Sequence, residues 1–203
     1  HPLIPVGYGS TDTVFQTYSQ PVVKLANLSV TTQDTNNDTV IMGVMSGSLN
    51  LSHFRIHDVN PNWTASIQVW LNNLDDSNWD NLKIENIEAS ERGAISVYQG
   101  TVYGAMSGKI SNSIFRNLSS TYTSASVWAD PLIQIIGDKH ISLENCIVSN
   151  LSMADDNSSA FVIGGIQFPQ QSNQFSLTNC LFMNNRSQND MITLSSSNNP
   201  IIK

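Results

Sequence analysis

Apolar and polar positions alternate along this chain in short bursts, and no segment carries a 3.6-residue apolar stripe over three turns. The bursts predict strands. The clearest stretch, ISLENCIVSN at 141–150, recurs in degraded form. Anchored on Asn145, NCIVSNL at 145–151 is matched by NCLFMNN at 179–185 and NSIFRNL at 112–118. NLKIENI at 81–87, HFRIHDV at 53–59 and VVKLANL at 22–28 fit the same frame. The shared pattern is Asn, two free positions, an apolar residue, one free position, Asn or Asp, then an apolar residue. The coil anchors are therefore placed near 22, 53, 81, 112, 145 and 179, a period of about 30 residues.

Between anchors the order repeats: a polar loop, a second strand, then a short third strand. Second strands are read at VIMGVM 40–45, ASIQVW 65–70, GAISVY 93–98, SASVW 124–128, AFVIGG 160–165 and DMITLS 190–195. Third strands are read at VYGAM 102–106, LIQII 132–136 with HISLE 140–144, and QFSLT 174–178. Residues 1–12, with two Pro and two Gly, read as irregular. Short strands at this period predict an all-β fold, a right-handed single-stranded parallel β-helix of about six coils. Stacking then sets like residues over like. Ile56, Ile84, Phe115, Val148 and Phe182 become an inward ladder, and the repeated Asn side chains are expected to turn inward and satisfy one another. A β-sandwich is the alternative. It gives no reason for one motif to return in one phase.

The 203 residues read as a single domain over 1–203 or as a segment of a longer chain. The start at His1 suits a mature chain or a fragment. No capping helix is visible at either end, so edge strands are expected to self-associate or meet other surface proteins. The last residues, SSNNPIIK, read as the start of a seventh coil.

Composition adds a setting. Hydrophobic residues make up 40% and charged residues only 12%, about half the usual share. Asn, Ser and Thr supply the polarity. A net charge of −7 with 9 basic residues argues against nucleic acid and anionic membranes as partners. No apolar run is long enough for a membrane helix. Sequons start at Asn27, Asn37, Asn50, Asn62, Asn117, Asn150, Asn157 and Asn185, and point to an extracellular or cell-surface glycoprotein. Asn27, Asn117 and Asn150 share one repeat position and carry no glycan if it faces inward. Cys146 and Cys180 each follow an anchor Asn, one repeat apart. At strand spacing they either form a disulfide or stack as small core residues.

RGAI at 92–95, FMNN at 182–185, IFRN at 114–117 and IVSN at 147–150 carry a resemblance. They are similar to the Gly-Gly-Ala-aliphatic and Phe-x-x-Asn signals of polymorphic outer-membrane and autotransporter-type passenger repeats. The resemblance spans most of 20–195. It implies a pectin-lyase-like β-helix and a surface-exposed or secreted module.

Candidate chemistry is sparse. Of the polygalacturonase-like signatures only Asp-Asp occurs, at Asp75/Asp76 and Asp155/Asp156, with no Gly-His-Gly and no Arg-Ile-Lys. Asp75 and Asp76 are the candidates for cleavage of a polysaccharide. Acid pairs in loops also suit Ca²⁺, the one cofactor the residues suggest. Arg55, Lys83, Arg92 and Arg116 do not gather beside the acid pairs in sequence. His1, His53, His57 and His140 lack a metal-ligand spacing, so no metal site is assigned. A Ser/His/Asp set is no more than a Ser-rich chain contains by chance. Trp70, Tyr98 and Trp128 end three expected second strands and predict an outward aromatic column for sugar or partner contact. The sequence thus points to an extracellular structural or adhesive β-helix that could assemble into surface fibres. The alternative is a module that binds or cleaves carbohydrate.

Overall fold

The structure is a computed structural model. It describes residues 3–6, 13–18, 22–32, 39–45, 48–59, 67–71, 77–89, 95–99, 108–121, 133–136, 140–153, 161–164, 174–186, 192–195 and 201–203. Among the described residues there are nineteen strands and no helix. In order they are β1 (Leu3–Val6), β2 (Thr13–Tyr18), β3 (Val22–Thr32), β4 (Thr39–Met45), β5 (Ser48–Val59), β6 (Ile67–Leu71) and β7 (Ser77–Asp80). They continue with β8 (Lys83–Ala89), β9 (Ile95–Gln99), β10 (Gly108–Ser111), β11 (Ile114–Ser120), β12 (Ile133–Ile136) and β13 (His140–Glu144). The last are β14 (Ile147–Met153), β15 (Phe161–Gly164), β16 (Gln174–Thr178), β17 (Leu181–Met183), β18 (Ile192–Ser195) and β19 (Ile201–Ile202).

Strands pair in parallel with their counterparts one coil away, which makes the chain an all-β parallel β-helix. One wall stacks β7, β10, β13, β16 and β19, and a second stacks β8, β11, β14 and β17. β3 and β5 run unbroken through the corner between these walls, and β5 pairs both β7 and β8. The third wall stacks β2, β4, β6, β9, β12, β15 and β18.

The corner between the first two walls falls at the repeat anchor. Asn81, Asn112, Asn145 and Asn179 all have positive φ, as has His53, and a second such set lies five residues on at Asp58, Asn86, Asn117, Asn150 and Asn184. All these angles lie between 49° and 58°, the left-handed region that Asn and Asp enter most readily among non-glycine residues. The turn does not break the backbone ladder. Asn112 N–H donates to Glu144 O and Asn145 N–H to Thr178 O, both at 3.0 Å. Immediately after the bend, Ile114 N–H donates to Leu82 O at 2.8 Å and Ile147 N–H to Ser113 O at 2.9 Å. The corners at Asn112 and Asn145 therefore bend while their peptide groups stay paired with the next coil.

The side chains at these corners face outward, not inward as the repeat suggested. A left-handed bend on the convex edge directs the side chain to solvent, and the flanking residues turn into the core. Asn179 donates through Nδ2 to Asn145 Oδ1 at 2.8 Å, and Asn145 to Asn112 Oδ1 at 3.2 Å. The second ladder runs Asn150 to Asn117 at 2.8 Å, Asn117 to Asn86 at 2.8 Å and Asn86 to Asp58 Oδ1 at 2.9 Å. These bonds span 28 to 34 residues of sequence, one coil each.

Inside, the expected aliphatic ladder stands. Ile56, Ile84, Phe115 and Val148 are buried and Phe182 packs partly against them. A second row holds Leu51, Trp79, Ile110, Leu143 and Leu177 in register. Burying each such side chain contributes roughly 1.5–3 kcal/mol. Polar atoms in the core are bonded: Trp79 Nε1 donates to Leu49 O at 3.0 Å, and the buried Ser113 hydroxyl donates to Ser111 O at 2.6 Å while accepting from Leu82 N–H at 3.1 Å.

Three expectations change. In the first coil, Ala26 pairs with Ser52 and Leu28 with Phe54, so Asn27 rather than Val22 stands at the anchor. The motif has two corners five residues apart, and a single coil can be fitted in either phase. Residues 3–6 are not irregular; they form β1, which covers the edge of β3 in parallel. Pro5 suits such an edge strand. Finally, the strand that pairs with β9 in the third wall is 133–136, not 124–128, which lies outside the described residues.

The two-sided role of the corner Asn has a measurable consequence. Asn117→Ala loses its ladder bonds and leaves in the left-handed region a residue without the short polar side chain that eases Asn into it. It should cost about 2 kcal/mol in denaturant unfolding. Asn117→Gly keeps the bend and should recover about half of that loss. Equal destabilisation by Ala and Gly would show that the backbone angle contributes nothing.

Candidate functional site

Outward positions of the second wall gather charged side chains around one groove. Arg55 and His57 project from β5, and the register sets Arg55 beside Lys83 and His57 beside Glu85 of β8. Glu85 in turn pairs with Arg116 of β11, and Ser29 of β3 pairs with Arg55. The five residues from Ser29 to Arg116 come from four coils. They line a groove of about 660 Å³ together with His53 and Lys83.

Glu85 organises the groove. The residue is only 3% exposed although it sits on the outer face. Arg55 Nε reaches Oε2 at 3.0 Å and Arg116 Nε reaches Oε1 at 2.6 Å. Two guanidinium groups on one carboxylate leave one positive charge over, and their remaining N–H groups face the half-exposed surroundings. The exposed Lys83 adds a second. This balance contrasts with the chain's net charge of −7.

A second constellation sits at the groove's edge. Asp58 occupies a left-handed corner (φ 56°), which lets its side chain lie on the same side as that of the preceding His57. His57 Nδ1 lies 2.6 Å from Asp58 Oδ2, and His57 Nε2 lies 3.2 Å from Ser29 Oγ. The His57 hydrogen bond, followed by that of Asn86, holds the Asp58 carboxyl below its ordinary range. An ionised Asp58 only accepts, so Nδ1 carries a proton toward it, and in the neutral imidazole Nε2 is then left to accept from the Ser29 hydroxyl. The Ser/His/Asp set that composition alone discounts is thus assembled by one coil's worth of stacking. The signal that could have found it was the second corner of the motif, once Asn27 is placed at the anchor and Ser29 falls beside Arg55.

Other sequence-derived candidates are distributed elsewhere. On the third wall the backbone register sets Trp70 beside Tyr98, while Trp128 lies outside the described residues. Asp75, Asp76, Asp155, Asp156 and the sequons at Asn37, Asn62 and Asn157 also lie outside them. His53 takes a corner of the first ladder. Among the described residues no group of three or more His, Cys, Asp or Glu could hold a metal ion. No helix among them is long and apolar enough to cross a membrane.

Four described sequon asparagines already use their amides. Asn117 and Asn150 belong to the outer ladder, Asn50 Nδ2 donates to Ser48 Oγ at 3.1 Å, and Asn185 Nδ2 donates to Val148 O at 3.1 Å. Asn27 occupies an exposed corner. A sugar on Asn117 or Asn150 Nδ2 would have to fit between amides stacked at strand spacing.

Cys146 and Cys180 stack as the repeat requires, but as free thiols rather than a disulfide. Main-chain carbonyls also lie close: Cys146 Sγ is 3.4 Å from Glu144 O, and Cys180 Sγ is 3.5 Å from Leu143 O and Thr178 O. The two side chains hydrogen-bond to each other. That bond lowers the half-buried Cys180 to about 6 and, with burial, pushes the Cys146 thiol up. Cys146 is thus the donor of the pair and Cys180 the acceptor.

Two outcomes follow from these contacts. Peptide mapping of chain secreted from a glycosylating host should find Asn117 and Asn150 unmodified; full occupancy there would contradict the outer ladder. Alkylation with iodoacetamide at pH 7 should label Cys180 and spare Cys146. Cys146→Ala should slow Cys180 labelling by about tenfold or more, because the thiolate loses its donor. Equal labelling of both thiols would contradict this difference between them.

Compared with known protein families, curated proteins and solved structures, the chain matches none. The wall's own geometry therefore carries the functional argument.

Proposed function

We propose that this chain is an extracellular β-helix with an adhesive role, and that its second wall recognises acidic carbohydrate. The observation that carries this is the gathering of Arg55, Lys83 and Arg116, three of only nine basic residues, on one wall of a chain with net charge −7. Cations in two adjoining columns of the wall, Arg55 and Lys83 in one and Arg116 in the other, suit a linear polyanion such as a uronate or sulfated glycan, whose charges recur along an extended chain. Glu85 fixes both arginines from behind, so little side-chain entropy is lost on binding.

The setting draws on the sequence. Eight sequons, sparse charge and the signals similar to autotransporter-type passenger repeats support a place outside the cell or on its surface. On the third wall, the neighbouring positions of Trp70 and Tyr98 favour a second reading, a platform for uncharged sugar rings.

Binding to immobilised polygalacturonate, a sulfated glycan and neutral dextran separates these readings. The acidic glycans should bind and dextran should not, with affinity falling steeply as salt rises. An Arg55→Ala/Arg116→Ala double variant should lose about tenfold or more. Dextran binding at equal strength, reduced by Trp70→Ala, would shift recognition to the third wall. Undiminished acidic-glycan binding by the double variant would remove the groove from consideration.

A further inference from the structure

We propose that Ser29, His57 and Asp58 form an esterase site at the edge of the cationic groove, acting on esters that carry a carboxylate or sulfate. Only the preference for a charged substrate rests on the recognition reading above; the chemistry rests on the hydrogen bonds themselves. The contacts have the order that nucleophilic catalysis requires. The serine hydroxyl lies 3.2 Å from Nε2 of an imidazole whose Nδ1 lies 2.6 Å from a carboxylate. Asn86 Nδ2 holds the other carboxylate oxygen at 2.9 Å, so Asp58 is fixed from two sides. Both Ser29 and His57 line the groove, although Ser29 is only 8% exposed. A nucleophile recessed among packed strands is shielded from bulk water yet open on the groove side.

The residues support a complete cycle. Ser29 Oγ bonds to the ester carbonyl carbon while His57 Nε2 takes its proton. Asp58 stabilises the imidazolium that forms. The Arg55 guanidinium stands in the strand position beside Ser29, anchored through Nε by Glu85, and supplies N–H donors for the oxyanion. Collapse of the tetrahedral intermediate breaks the bond to the alcohol oxygen, which takes the proton back from His57. Water then attacks the acyl-Ser29 carbonyl with His57 again as base. The carboxylic acid leaves, and the proton returns to Ser29 Oγ. Lys83, the next cation beside Arg55, and Arg116 attract the substrate's anionic group.

The test uses the full chain with a fluorophosphonate probe and two chromogenic esters, 4-nitrophenyl acetate and 4-nitrophenyl hemisuccinate. The probe is expected on Ser29, identified by peptide mass. Hydrolysis should fall by about 100-fold or more in Ser29→Ala and His57→Gln, and less in Asp58→Asn. Ser29→Ala removes one oxygen and should keep the native circular dichroism, so its result is not confused with unfolding. Turnover retained by Ser29→Ala, or a probe that never reaches Ser29, would overturn the site whether or not the wall binds polyanions. Faster turnover of the hemisuccinate supports the charged substrate class. Equal turnover of the two esters, both lost in Ser29→Ala, would overturn that class while leaving the triad and exposing the recognition reading as the failed part.

Discussion

The left-handed corner is the constraint on which the rest of this fold depends. A coil of parallel strands must bend without losing the hydrogen bonds that join it to its neighbours. A residue that tolerates φ near 55° permits the bend, and an Asn there also bonds to the Asn above it. The penalty for the left-handed region, about 1–2 kcal/mol for an ordinary residue, is offset at several levels by a side-chain hydrogen bond, amide to amide or amide to carboxylate, that exists only when the coils are in register. Strand pairing alone specifies register weakly, because neighbouring coils could slip by two residues and still bury alternate positions. The two Asn ladders forbid that slip. They place the aliphatic rows of the core, and the core rows then contribute most of the favourable free energy.

The same restriction explains what sequence reading recovered. The motif is visible because its Asn positions answer to backbone geometry, which few residue types satisfy. Ile56, Ile84, Phe115 and Val148 were legible as a ladder because they lie at a constant offset from those Asn residues. The direction of the Asn side chains was not legible. Amides that bond one another satisfy the same pattern inside or outside, and only the sense of the bend decides. The phase of the first coil failed for a related reason. Its corner at Asn27 lies five residues from Val22, the same interval that separates the motif's own two corners. The third wall was the least legible. Its strands follow loops of varying length, so a short apolar run at 124–128 and another at 132–136 compete, and only stacking on β9 selects 133–136.

The groove was hidden for the opposite reason. Nothing in the sequence neighbourhood of Arg55, Lys83, Glu85 or Arg116 marks them, since each is separated from its partners by about one coil. Coincidence in three dimensions comes from equal offsets to the corner: Arg55 and Lys83 lie two residues past their anchors, and His57, Glu85 and Arg116 lie four past theirs. A solenoid thus converts periodic position into adjacency. Chemistry in such a chain is best sought by stacking the repeats and reading down columns rather than along the chain.

The two constellations on the second wall also depend on each other through the fold. Glu85 holds Arg55 where it flanks Ser29, and Asn86, the next residue, fixes Asp58 against His57. One β8 segment therefore supports the cationic groove through Glu85 and the hydrogen-bonded set through Asn86. Asn86 is at once a corner of the outer ladder and the support of Asp58. The interaction that registers the coils thus also orients the carboxylate behind His57, so a slip of a single coil would dismantle the ladder and the site together.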